Sequence, residues 1–285
     1  MQTPFYQVDV FSDELFGGNP LAVFLRGEDF KEAQFQQMAR EMNLSETTFV
    51  LPSSHPDADF DVRIFTPEKE LPFAGHPTLG TAFVLRHAGL VPSTQNHLRL
   101  NFKVGVIPVD LQEDGKIFMT QPPGKILQTF TNTEEVAQVL GLTANNIDLP
   151  VQTASTGFPA LLVPINSLRA MQRIVLNLSL LKVLLEEAGV DMIYPFTRQT
   201  LDQKSSVHAR GFAPFVGIPE DPATGSVAGA LGYYLKDKNP KEKNLIIEQG
   251  YEMKRPGLIF VSMDGAKIQV GGKTRMVFKA SLYLE

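Results

Sequence analysis

A repeated segment limits, more than any other feature, what this chain can fold into. Arg63-Ile64-Phe65-Thr66-Pro67 returns as Arg210-Gly211-Phe212-Ala213-Pro214, an Arg-x-Phe-x-Pro pattern recurring 147 residues later in a chain of 285. Each copy leads through a short loop into a segment of helical character with almost no polar face: Pro77 to Ala88 in the first half and Ser226 to Leu235 in the second. A helix that is apolar nearly all the way round has to be enclosed. The repeat therefore predicts an α+β fold of two pseudo-symmetric halves, each a β-barrel-like sheet wrapped around a central apolar helix. We expect domains at 1–117 and 118–275, with a strand at about 276–285 returning to the first.

The segments between agree with a strand-rich frame. Short alternating or β-branched runs (Phe5 to Phe11, Leu21 to Phe24, Thr48 to Leu51, Phe60 to Phe65, Leu98 to Phe102, Gly105 to Leu111, Ile117 to Gln121) are divided by Gly, Pro and Asn. Amphipathic spacing predicts outer helices at Asp29 to Met42, Thr133 to Leu140 and Leu180 to Ala188.

Several function classes drop out on composition. The net charge of −5 is spread without a basic stripe, which argues against nucleic acid or an anionic membrane as partner. There are no cysteines, so thiolate metal sites and thiol mechanisms are excluded. The five histidines lack ligand spacing, and no metal site is expected. Gly271-Gly272-Lys273-Thr274 lacks the earlier glycine of a phosphate loop, Lys267 standing in its place, and no dinucleotide or nucleophile-elbow motif occurs. No run approaches the roughly 18 apolar residues needed to span a bilayer, and the beginning, MQTPFYQVDV, lacks the charged start and apolar run of an export signal. The expected location is cytoplasmic.

The chemistry is expected at the two central helix starts, where unpaired N–H groups and the positive end of the dipole favour an anion. Their sequences are Ala74-Gly75-His76-Pro77-Thr78 and Asp221-Pro222-Ala223-Thr224-Gly225-Ser226. Set face to face across a domain cleft, they would cradle a carboxylate, with Gly75 and Gly225 allowing close approach and Ser226, a candidate N-cap, adding a hydroxyl. His76 can exchange a proton near neutral pH, and Asp221 holds the corresponding place in the second half. Glu46 lies between a helix end and an apolar strand, where loss of water would raise its pKa toward the range of a proton carrier. Each has a plainer reading as a turn glycine, a surface histidine, a helix-start acid or a solvated cap.

The stretches FGGNPLAVF (16–24), AREMNLSETTFVLP (39–52), VRIFTPEKELPFAGHPTLGTA (62–82), RGFAPFVGIPEDPATGSVAGAL (210–231) and EQGYEMKRPG (248–257) closely resemble the phenazine-biosynthesis (PhzF-type) isomerases, within the diaminopimelate-epimerase-like fold. Residues 96–201 match more weakly. The resemblance implies a cofactor-independent enzyme, usually a homodimer, acting on a small carboxylate. Glu46 would take a proton from one substrate carbon and return it to another, assisted by His76 and Asp221. Gly75, Gly225, Ser226 and Asn19 would bind substrate. Where epimerase relatives use paired cysteines, this chain has Ala74 at the first place and no thiol, which leaves a single-carboxylate shuttle. The implied reaction is isomerisation of trans-2,3-dihydro-3-hydroxyanthranilate. The alternatives are epimerisation or isomerisation of another small amino or hydroxy acid, and non-catalytic binding of such an acid.

Overall fold

The structure, a computed structural model, describes residues 2–148 and 150–283. The chain forms two compact units, Met1–Thr120 with Val270–Glu285, and Gln121–Gln269. The last two residues of the expected returning strand, Leu284 and Glu285, lie outside the described residues.

In the first unit, strand Gln2–Val10 pairs antiparallel with Asn19–Phe24 on one side and with Thr274–Tyr283 on the other. Asn19–Phe24 runs parallel to Glu46–Pro52, with Leu21 opposite Glu46, and Phe60–Phe65 continues the sheet antiparallel. Helix Gly75–His87 packs on these strands and is buried almost throughout. Small residues let the sheet close on it. A Cβ added at Gly80 would sit 2.5 Å from Leu21 Cδ2 and 2.9 Å from Val10 Cγ2. The outer helix is Glu32–Met42, three residues shorter at its start than the expected Asp29 to Met42, and a short 3-10 turn at Gly27–Asp29 precedes it. Its buried Phe35 joins Phe24, Phe30, Phe49 and Phe65 in an aromatic core, with Phe24 stacked on Phe49 at 5.2 Å between centroids and Phe35 at 4.7 Å from Phe49. Such contacts add about 0.5–1.5 kcal/mol each beyond area burial.

The second unit repeats the plan with an aliphatic outer core. Helix Gly225–Lys238 packs on Lys125–Phe130, Val151–Ser155, Pro159–Pro164, Asn244–Gln249 and Gly257–Asp264. Thr133–Val139 and Leu178–Ala188 bury Val136, Val139, Leu181, Leu184 and Leu185 on the far side.

The repeat seen in the sequence reappears as side-chain geometry. Arg63 grips Glu70 through Nε and Nη2, both at 2.8 Å, with its guanidinium 5.1 Å from the Phe65 ring. Arg210 grips Glu220 through the same atoms at 2.8 and 2.9 Å, with its guanidinium 4.8 Å from the Phe212 ring. Arg63 lies within strand Phe60–Phe65 and Arg210 immediately before strand Gly211–Ala213, and in each case the glutamate belongs to the next short strand, which leads into the central helix.

Candidate active site

Four of the sequence-derived site residues belong to the first unit. Glu46 is the first residue of its strand, not a loop residue before it, and is 6% exposed. His76 is the second residue of the central helix and is 4% exposed. Its Nε2 lies 3.3 Å from Glu46 Oε2, without the alignment of a formed hydrogen bond. Burial holds the imidazole well below its ordinary 6.5, at about 3, although the Pro20 carbonyl accepts a hydrogen bond from the ring and opposes the fall. A neutral imidazole that donates from Nδ1 keeps its lone pair on Nε2, the nitrogen turned to Glu46.

The scaffold fixes this pair from both sides. Pro20 follows Asn19 at the start of the strand that runs parallel to Glu46–Pro52. Asn19 is fully buried, and its Oδ1 accepts from Ser45 Oγ at 3.3 Å. Thr48 and Thr81 join strand to helix through their hydroxyls at 2.9 Å, and Thr78 Oγ1 donates to the Ala74 carbonyl at 2.8 Å. Gly75 opens the helix and is buried, with Ala74 as its N-cap.

Asp221, Gly225 and Ser226 belong to the second unit. Asp221 ends strand Ile218–Asp221 and is 6% exposed. Its Oδ2 accepts from Thr224 Oγ1 at 2.6 Å. The N-cap is Thr224, so Gly225 is the first helical residue and Ser226 lies inside the first turn, contrary to its expected place as the cap. The Gly225 carbonyl accepts from Gln121 Nε2 at 3.0 Å. Sequence reasoning missed the group that organises this turn, Gln249. Its Oε1 accepts from Tyr194 Oη at 2.8 Å and from the Thr224 N–H at 3.1 Å, while its Nε2 donates to the Asp221 carbonyl at 2.7 Å and to Thr224 Oγ1 at 2.9 Å. The Pro20 carbonyl was missed as well, since no side chain marks it.

Among the described residues no group of three His, Asp or Glu is placed to hold a metal ion, and no helix is long and apolar enough to cross a membrane.

A family model described as phenazine biosynthesis-like protein matches residues 8–280. The chain is similar to the trans-2,3-dihydro-3-hydroxyanthranilate isomerase of Pseudomonas aeruginosa, at 33% identity over 289 residues covering 97% of this chain and 98% of that one. It is similar to the crystal structure of a Bacillus anthracis phenazine biosynthesis protein of the PhzF family, with a TM-score of 0.90 and 29% identity over all of both chains. A hydroxyproline epimerase from Agrobacterium vitis, 10% identical with a TM-score of 0.66 over 99% of this chain and 92% of that one, shares the fold. The α+β architecture is thus the epimerase-like one, and the chain belongs to the phenazine biosynthesis-like (PhzF) family of isomerases.

Proposed function

We propose that this protein is a cofactor-independent isomerase that moves a proton between carbons of a small cyclic carboxylic acid, with trans-2,3-dihydro-3-hydroxyanthranilate as the first candidate substrate. The observation that carries the reading is the buried approach of Glu46 to the neutral nitrogen of His76 at 3.3 Å. The carboxylate removes a proton from one substrate carbon. While it holds that proton it can donate a hydrogen bond to the His76 Nε2 lone pair, which keeps the proton at the site until it is delivered to the second carbon. The same proton leaves and returns, so the product is an isomer and no co-reactant is consumed. His76 accepts without itself becoming charged, as a pKa near 3 requires.

Asp221 is assigned to the polar substituents of the substrate, and Ser226, with the Gly75 and Gly225 backbone, to its carboxylate. The family relationship and the 33% identity to a named isomerase of this acid support the substrate class. Turnover followed by chromatography tests it: the wild type should convert trans-2,3-dihydro-3-hydroxyanthranilate, while Glu46→Gln should lose at least about 100-fold in kcat, the lower range for a positioned acid–base group. Inertness of the wild type would remove this substrate, and full activity of Glu46→Gln would remove the mechanism.

A further inference from the structure

The amide of Gln249 has all four hydrogen-bonding positions filled, and its partners leave it one orientation. The Thr224 N–H can only donate and the Asp221 carbonyl can only accept, so Oε1 must face the first and Nε2 the second. Nε2 then gives its other hydrogen to Thr224 Oγ1. The threonine oxygen, already receiving one hydrogen bond, has its own hydrogen left to give, and Asp221 Oδ2 lies 2.6 Å away.

We propose that Thr224, oriented by Gln249, is a positioning residue that commits Asp221 Oδ2 to accepting a hydrogen bond and so opposes the uptake of a proton by Asp221. The protein has made room for this arrangement. A Cβ at Gly211 would come 2.7 Å from Thr224 Oγ1 and 3.2 Å from Gln249 Nε2, and the first copy of the repeat carries Ile64 at that place. The first copy likewise has Leu71 and Ala74 where the second, aligned on its Arg–Glu pair and helix start, has Asp221 and Thr224. The clamp belongs to the second half alone.

Other ionisable groups around it are engaged. Tyr194 is buried, its hydroxyl is spent on Gln249, and burial pushes its ionisation far up, with the Asp221 charge adding to the effect. Glu220 is closed on Arg210, and Glu248 is bonded to His208. The proposal rests on the proposed role of Asp221 only for what the proton is used for; the direction of the hydrogen bonds stands without it.

The test is read on the protein without substrate. Aspartate labelled with 13C at the side-chain carboxyl gives a titration midpoint for Asp221 by NMR, its signal identified by loss in Asp221→Asn. A hydrogen bond to the ionised form lowers a carboxyl's midpoint, so Thr224→Val should raise it by about one pH unit or more and Thr224→Ser should restore it. Thr224 makes no side-chain cap bond, so the valine removes no helix cap. Gly211→Ala, which deletes no hydrogen-bonding group but crowds Oγ1, should raise the midpoint in the same direction. A midpoint unmoved in folded Thr224→Val, or in Gly211→Ala should the valine variant not fold, overturns the assignment. Full isomerase activity in Asp221→Asn would instead remove the functional role of Asp221 and leave the midpoint result standing.

Discussion

Raising the pH from 6.5 to about 9.5 should remove most of the stabilisation that one buried cluster gives the second unit. His208 is fully buried, with Nδ1 2.8 Å from Glu248 Oε1 and Nε2 3.1 Å from Glu252 Oε1. Glu248 also accepts the N–H groups of Leu201 and Asp202, at 2.6 and 3.0 Å, so the cluster holds a surface loop. Burial opposes the imidazolium, but the two carboxylates outweigh it and lift the histidine from 6.5 to about 9. The folded state therefore keeps a proton that the unfolded state releases above 6.5. The contribution is fully present below 6.5 and is lost as the pH rises through about 9. At about 1.4 kcal/mol per unit, that interval is worth at most about 3.5 kcal/mol. For a unit of this size the melting temperature should fall by at most roughly 7–14 °C. Melting curves of wild type and Glu252→Gln at both pH values provide the assay. The variant keeps Glu248 and its loop bonds but loses one support of the charge, so its drop should be smaller and should begin at lower pH. An equal drop in both proteins would refute the reasoning.

Three further outcomes follow from the packing and the site. Gly80→Val should destabilise the first unit by about 1–3 kcal/mol in denaturant unfolding, because its Cβ would already meet Leu21 at 2.5 Å. Replacing His76 with Asn should reduce kcat while making the fold less sensitive to acid. Burial keeps His76 near 3, so as the pH drops below 6.5 the unfolded wild type binds a proton that the folded one refuses; melting temperatures at pH 4 and 7 check this. Arg210→Lys should cost more stability than Arg63→Lys, since the Arg210 side chain is 9% exposed against 23% and its Nη1 also donates to the Met171 carbonyl at 2.9 Å; paired chemical melts decide it.

The parts of the fold legible in the sequence were those where period and composition act locally. The enclosed helices were marked by the lack of a polar face, and strands such as Phe60–Phe65 and Gly105–Leu111 by alternation between turn residues. The outer helix is expected from Asp29 but begins at Glu32, where Gln34 Oε1 accepts from the Lys31 N–H at 2.8 Å. Ser226 was read as a cap because its residue type favours one, while the chain enters the helix two residues earlier. The proximity of Glu46 to His76 depends on a parallel pairing of strands distant in sequence, which local pattern does not encode. Gln249 was hidden for the same reason: it lies 25 residues beyond Thr224 on a strand that reads as ordinary core.

The central claim is that the Glu46 carboxyl carries hydrogen between two carbons of the substrate. Proton NMR of trans-2,3-dihydro-3-hydroxyanthranilate incubated in deuterated water with wild type and with Glu46→Gln tests it directly. The account predicts isomerised product with the wild type, its newly protonated carbon keeping the substrate's own hydrogen in preference to solvent deuterium, and unchanged substrate with the variant. Isomerised product formed at the wild-type rate by Glu46→Gln would contradict it.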